Sequence, residues 1–256
     1  MQTIILAGGL GTRLAEETEV RPKPLVEIGH QPILWHILKH YSYYGHNEFF
    51  IALGYKGEMI KRYFLDYSNL SGQLTIDMKT GRVISEQSEC EPWTVHLVDT
   101  GQKTNTGGRV KRLAPFLKKE TFFITYGDGV SNINLDELLA FHRSQKKMVT
   151  ITAVRPPARF GGLEFDGDLV MKFTEKPQTG EGWINGGFMV CEPELLDVIN
   201  NDLSSLEADV LDYLASINQI SAYRHFGFWQ CMDTLRDKKL LEQFWQDGNA
   251  PWKIWE

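Results

Sequence analysis

The sequence predicts an α/β fold, a Rossmann-like, mixed and mostly parallel sheet flanked by helices, with β-hairpin excursions. Three observations predict it. Short apolar runs alternate with helical patterns along the chain, as strand–helix units do. The first run, residues 3–7, is nearly all apolar and reads as a buried strand; Gly8, Gly9 and Gly11 follow it directly. With 256 residues, 42% hydrophobic and 23% charged, the chain has the composition of an ordinary globular protein and can bury a full core.

Taken in order, Pro32 opens a helix through Ile33, Ile37 and Tyr41 that closes near Gly45. Residues 48–53 read as strand and 58–67 as an amphipathic helix. Residues 74–86, broken at Lys79-Thr80-Gly81, form a hairpin pattern. Residues 93–98 are strand-like and 108–117 helical; the strand 121–126 ends at Gly127-Asp128-Gly129. A helix over 135–144 and a strand over 149–154 precede a second hairpin, 163–173, turning at Asp166-Gly167. The remainder reads as strand 187–191, helices 194–199 and 207–217, strand 221–226 and helix 234–245. No repeat, low-complexity segment or linker interrupts this, so one domain over 1–256 is expected, ending in a helix and tail over 234–256.

A net charge of -6 argues against a nucleic-acid surface. It leaves room for a phosphate ligand, because a few placed cations and a metal ion reverse the field locally. Cys90, Cys191 and Cys231 lie far apart with no C-x-x-C pair, so a reducing, cytoplasmic setting is expected. Met1 leads almost directly into a strand-like run; no signal peptide or transmembrane helix is expected. His36 and His40 have metalloprotease spacing, but Ile37 stands where the Glu is required. Ser88, Ser144 and Ser221 lie in no nucleophile-elbow sequence, and Tyr41, Tyr43 and Tyr44 suit core or interface.

The glycine run carries the first functional signal. Glycines after a strand let the backbone turn left-handed and bring its N–H groups to a polyanion, although some such runs are only tight turns. There is no G-x-x-x-x-G-K-S/T here, which excludes a P-loop. Leu14 occupies the third glycine position of a dinucleotide fingerprint, and Pro22 and Pro24 interrupt the helix such a fold needs. Arg13 ends the loop, and Arg21-Pro22-Lys23-Pro24 adds two cations on a stiffened segment, read either as a phosphate anchor or as a solvated basic turn.

Leu6-Ala7-Gly8-Gly9-Leu10-Gly11-Thr12-Arg13-Leu14, followed by Pro22-Lys23-Pro24, resembles the signature of the sugar-1-phosphate nucleotidylyltransferases. The resemblance continues through Pro32-Ile33-Leu34-Trp35-His36, Tyr126-Gly127-Asp128, Glu175-Lys176-Pro177, Asn185-Gly186-Gly187 and Gly227-Phe228-Trp229-Gln230 to Asp233, covering essentially the whole chain. The segment from Pro32 and the segment from Gly227 narrow it to the glucose-1-phosphate cytidylyltransferase branch of that family. The resemblance implies a nucleotidyltransferase fold, CTP and α-D-glucose 1-phosphate as substrates, CDP-glucose and pyrophosphate as products, and Mg²⁺ as cofactor. It also implies a place in dideoxyhexose and O-antigen precursor synthesis, and a homo-oligomer, trimer or hexamer.

Residue by residue, the resemblance puts Leu6 to Arg13, Lys23, Thr104, Arg109, Gly127 and Asp128 at the nucleotide. Arg13, Lys23, Asp128 and Asp233 become the catalytic set, with Asp128 and Asp233 holding the metal. Tyr126, Glu175, Lys176, Asn185 and Gly186 face the sugar phosphate, in a portion around 155–235. Plainer readings stand beside these. Asp233 suits a cap for the helix from Thr234, Arg109 a solvated helix face, Glu175-Lys176 a surface turn, and Asn185-Gly186-Gly187 a β-bulge. Gln31, Arg21 and the stretch 206–211 depart from the family pattern, which touches fine specificity more than chemistry. Another nucleotide (dTTP or UTP), another sugar 1-phosphate, or a non-catalytic nucleotide-sugar sensor are the alternatives. The Trp-rich tail, Trp252 to Trp255, docks either on its own domain or on another subunit.

Overall fold

Seven strands make the main sheet, and all but one run the same way. The computed structural model describes residues 1–9, 11–70, 72–86, 90–156, 162–166, 169–174 and 182–256. In chain order the strands are β1 (Gln2–Leu6), β2 (Glu48–Leu53), β3 (Thr94–Asp99), β4 (Phe122–Tyr126), β5 (Val149–Val154), β6 (Ile184–Cys191) and β7 (Ile220–Arg224). Across the sheet they lie β7-β5-β6-β4-β1-β2-β3. β1 pairs in parallel with β2 and β4, β2 with β3, and β5 with β7. β6 is antiparallel to both β5 and β4.

Side-chain alternation assigns each strand to two cores. Ile5, Phe49, Ile51, Phe123 and Val190 face the layer containing helix α1 (Ile33–Tyr43) and the chain end. Ile4, Phe50, Ala52, Ile124 and Met189 face the opposite layer, with Val110 and Leu113 of helix α3 (Thr106–Leu113). A central strand is covered on both faces, and β1 is buried at every residue, apolar from Ile4 to Leu6. Helix α2 (Gly57–Asn69) follows β2 and helix α4 (Leu135–Gln145) precedes β5.

Both expected hairpins are present, Gln73–Asp77 with Arg82–Glu86 and Gly162–Asp166 with Leu169–Thr174. The expected helix over 207–217 begins as a π-helical turn, Leu206–Leu211, and continues as Asp212–Ser216. One feature was not expected. Gly129–Ser131 and Trp229–Cys231 pair as an antiparallel ribbon outside the main sheet. Among the described residues no helix is long and apolar enough to cross a membrane.

The last helix, α5 (Leu235–Gln246), starts at Thr234, whose side chain and that of Asp237 form a reciprocal capping box. Beyond it the tail folds back on its own chain. Trp252 is 1% exposed and Trp255 8%, packed around His36 and Phe228. The subunit-interface reading of these tryptophans is therefore replaced by internal docking. Of the tyrosine cluster, Tyr41 is core and Tyr43 surface.

His36 and His40 also belong to the core rather than to a metal site. Trp252 Nε1–H donates to His36 Nδ1 at 3.4 Å, and His36 Nε2 lies 3.0 Å from the Ile28 carbonyl. These partners favour the neutral ring with its proton on Nε2. Burial pushes the His36 pKa down to about 4, and those of His40 and His46 to about 3 and about 4. In the unfolded chain a histidine titrates near ~6.5, so the unfolded state takes up protons first as pH falls. Stability should be full above about pH 6.5 and fall toward pH 4, by up to ~1.4 kcal/mol per pH unit for each such ring. Urea unfolding at a series of pH values tests this. His36→Phe should show a shallower decline, and a pH-independent midpoint in the parent would refute the account.

Candidate active site

The carboxyl ends of β1 and β4 open onto a cleft of about 320 Å³. Register puts Leu6 level with both Ala52 and Tyr126, and Gly127 N–H donates to the Leu6 carbonyl at 3.0 Å. The glycines after β1 differ in their reasons. Gly8 has no side chain because Arg109 needs the space, since a Cβ there would stand 2.3 Å from its guanidinium carbon. Gly11 has φ +65° and packs on Thr18, whose hydroxyl donates to the Gly11 and Leu14 carbonyls at 3.1 and 3.0 Å. Over Gly9 nothing lies within 4 Å, which leaves that stretch of backbone open to the cleft.

Lys23 sits in a 3₁₀ turn, Lys23–Leu25, that Pro22 leads into with φ −66°. Its Nζ lies 2.6 Å from Asp128 Oδ2 and 2.5 Å from Asp233 Oδ1. The ribbon explains why those carboxylates meet. Cys231 pairs with Gly129, and Met232 N–H donates to the Asp128 carbonyl at 2.8 Å, so the two aspartates flank one pair of strands. Because Thr234 and Asp237 supply the cap of α5, the capping reading of Asp233 gives way to the Lys23 contact. Burial opposes the Lys23 charge, but the charge of Asp128 and the hydrogen bonds that Lys23 donates to both aspartates outweigh it and raise the pKa. Arg21 does not join this group; it pairs with Glu27 at 2.7 Å on the surface.

Two carboxylates already converging on one ammonium form a donor set that a hard divalent cation fits. Among the described residues no cluster of three or more His, Cys, Asp or Glu could hold a metal alone. Magnesium typically takes one or two carboxylates and completes its shell with phosphate oxygens and water. One ammonium against two carboxylates also leaves this corner formally negative, so a polyphosphate needs further positive charge there.

Thr104, Asn105 and Thr106, at and just before the start of α3, line the cleft. Arg109 lines the cleft too, but it is 5% exposed, which excludes a solvated face. Its Nη1 donates to Leu53 O, Thr100 Oγ1 and Gly101 O at 3.0, 2.7 and 2.8 Å, and its Nη2 to Gly8 O at 3.1 Å. These contacts make it a brace beneath the glycine loop.

A smaller pocket of about 240 Å³ adjoins the cleft and shares Tyr126, Asp128 and Asp233 with it. Asn185 and Gly186 line this pocket. The β-bulge reading holds here as well, since the β5–β6 register shifts between Ile151 and Ala153 opposite this stretch. Gly187, with φ +82°, lies flat against the Tyr126 ring, where a Cβ would come 2.4 Å from Tyr126 Cδ2. Trp229 Nε1–H donates to the Gly186 carbonyl at 2.7 Å, and the Cys231 thiol lies 3.6 Å from Asp233 Oδ2.

The structure thus brings together Leu6, Ala7, Gly8, Gly9, Gly11 and Thr12 with Lys23, Thr104 and Arg109. Tyr126, Gly127, Asp128 and Asp233 complete that group, and Asn185 and Gly186 stand beside it. Leu10, Glu175, Lys176 and the Arg13 side chain lie outside the described residues. Asn105 and Thr106 were missed as cleft residues, although they border the predicted Thr104.

Residues 2–247 match the nucleotidyl transferase family. A glucose-1-phosphate cytidylyltransferase from Salmonella typhi is 49% identical over 257 residues, covering 100% of each chain. A probable glucose-1-phosphate cytidylyltransferase from Bacillus subtilis is 41% identical over 256 residues, again covering 100% of each. Among solved structures, HddC from Yersinia pseudotuberculosis complexed with GMP-PN superposes with a TM-score of 0.69 at 21% identity, over 95% of this chain and 99% of that one. At that identity the likeness concerns the fold, which is that of the nucleotidyltransferases.

The contact between Gly187 and Tyr126 can be tested directly. Gly187→Ala adds a Cβ both at a left-handed φ and into the Tyr126 ring, at a cost of roughly 1–3 kcal/mol. Denaturant unfolding and steady-state rates should show lost stability together with reduced kcat/KM. Parent-like values for both would refute the contact.

Proposed function

The chain belongs to the nucleotidyl transferase family, and from that premise we propose that it transfers the cytidylyl group of CTP to α-D-glucose 1-phosphate, releasing pyrophosphate and forming CDP-glucose. The bracket of Lys23 by Asp128 and Asp233, beside an open glycine loop, carries the transfer chemistry. The full-length similarity to proteins named glucose-1-phosphate cytidylyltransferase carries the choice of nucleotide and sugar.

The reaction asks little of a general base. A phosphate monoester has a second pKa near ~6, so the attacking oxygen is already anionic at neutral pH. That oxygen attacks the α-phosphorus of CTP; the bond to the bridging oxygen breaks, and pyrophosphate leaves with the electron pair. The protein's task is to align two polyanions and offset charge on the transferring group. In this reading Lys23, which lines the cleft, does so at the α-phosphate, loop N–H groups around Gly9 hold the phosphate chain, and Arg13 assists. Lys176 and Glu175 receive the sugar phosphate in this reading, and Tyr126, Asn185 and Gly186, which line the smaller pocket, share that task.

Enzymes of this family generally use a divalent metal, and Mg²⁺ is the ion we propose, held by Asp128 and Asp233. It would supply positive charge to the phosphate oxygens during transfer. We further propose one domain over residues 1–256, with the sugar portion around 155–235, a cytoplasmic setting, and a homo-oligomer, trimer or hexamer, as the resemblance implies.

Pyrophosphate release should be measured with glucose 1-phosphate and each of CTP, UTP, dTTP, ATP and GTP. CTP should be preferred; no turnover with CTP would sink the assignment. Tight CDP-glucose binding without metal-dependent turnover would point to a sensor.

Lys23→Ala should lower kcat by at least ~100-fold, the scale expected for losing a charge that stabilises the transition state. Its melting temperature should change little by comparison. Near-normal turnover by the folded variant would count decisively against this role.

A further inference from the structure

One carboxylate outside the groups described so far is shared by both walls of the cleft. Glu207 lies in the π-helical turn Leu206–Leu211, a winding found most often at functional positions. One of its oxygens, Oε1, accepts from the Tyr126 hydroxyl; the other, Oε2, accepts from Thr106 Oγ1 at 2.6 Å and Ser205 Oγ at 2.9 Å. Thr106 opens α3 and lines the nucleotide side. Tyr126 ends β4 and lines both the cleft and the adjoining pocket. Glu207 itself lines neither.

The segment carrying Glu207 is fastened to α3. Asn105 N–H donates to Asp202 O at 2.8 Å, Gly108 N–H to Ser204 O at 3.1 Å, and Leu206 N–H to Thr106 Oγ1 at 2.9 Å. Close approach requires the bare Gly107 and Gly108, where a Cβ would stand 2.7 Å from Ser204 O and 2.4 Å from Asp202 O. Arg112 adds a two-pronged contact to Asp202 at 2.6 and 2.9 Å. Glu207 is thereby fixed to the nucleotide wall and reaches across to Tyr126.

We propose that Glu207 is a positioning residue of the transfer reaction, acting through Tyr126 and Thr106 to fix the sugar-phosphate side of the cleft against the nucleotide side. This rests on the transferase reading above. The chemistry is directional. An ionised carboxylate only accepts, so the Tyr126 proton is turned toward Glu207 and the phenolic oxygen presents lone pairs. Such an oxygen suits a donating sugar hydroxyl. A glutamine at 207 could instead offer N–H to Tyr126 and reverse that polarity.

The test is a set of double-mutant cycles in kcat/KM, run with whichever nucleotide and sugar phosphate the parent protein turns over. Glu207→Gln should lower kcat/KM roughly 10-fold or more, the scale of a lost charge-assisted hydrogen bond, chiefly through KM for the sugar phosphate. Tyr126→Phe should then cost little further, and Glu207→Asp, one methylene shorter, should not rescue. Additive effects of Glu207→Gln and Tyr126→Phe, or activity of Glu207→Gln within about twofold of the parent, would overturn the proposal. Should Glu207→Gln fail to fold, Thr106→Val and Tyr126→Phe should be coupled to each other through the intact Glu207; independence of that pair would overturn it equally. A parent protein active only on another substrate pair would refute the cytidylyl reading while leaving this test intact.

Discussion

The cleft is organised around one ammonium held between two carboxylates. Lys23 meets Asp128 and Asp233 from 105 and 210 positions away in the chain. Removing a cation from water is costly, and opposite charges offset that cost only when the geometry is good and the remaining bonds are made. Both conditions are met by backbone rather than by chance. Pro22 and Pro24 stiffen the turn that presents Lys23, and the ribbon register holds both aspartates at one end, just beyond the Gly129–Cys231 pair. The same bracket that offsets half of the carboxylate charge also holds a cation at the space beside the glycine loop.

Arg109 performs the complementary task below that loop. Its guanidinium gathers carbonyls from the ends of three neighbouring strands, Gly8 after β1, Leu53 in β2 and Gly101 after β3. In a trans peptide the carbonyl and the following N–H point in opposite directions. Drawing the Gly8 carbonyl toward Arg109 therefore turns the Gly9 N–H the opposite way, away from that guanidinium. A buried cation thus prepares an anion site without touching the anion. Tyr55 N–H donates to the same Gly8 carbonyl at 3.4 Å, reinforcing that orientation.

The regular elements were legible because their signals are local. β2 and β5 fall on the residues that apolar patterning and flanking turns indicate, and both hairpins pair as expected, the first turning at Gly81. The aspartates and Lys23 were legible through resemblance, since nothing in their local sequence says that they converge. What could not be read depends on distant partners. Three-residue strands such as Gly129–Ser131 carry too little pattern to announce a ribbon. Arg109 looks like any basic residue on a short helix until the carbonyls of residues 8, 53 and 101 are placed around it. Arg21 seemed to belong with Lys23 by proximity in sequence, yet Pro22 turns the chain between them and Glu27 takes the charge. Trp252 similarly gave no sign of its partner, His36, which lies 216 positions earlier.

The two sides of the cleft are built on different principles, and the single antiparallel strand is the reason. On the glycine-loop side, β1, β2 and β3 run in parallel, so their carboxyl ends deliver successive loops and the start of α3 to one edge. That arrangement offers backbone N–H groups, the means by which a polyphosphate is held irrespective of its base. On the other side β6 runs the opposite way and brings its beginning, Asn185 and Gly186, to the same edge. The ribbon adds Trp229 and Cys231 beside them. Here side chains with fixed directions dominate the lining. Tyr126 stands where the halves join, its ring on Gly187 and its hydroxyl on Glu207.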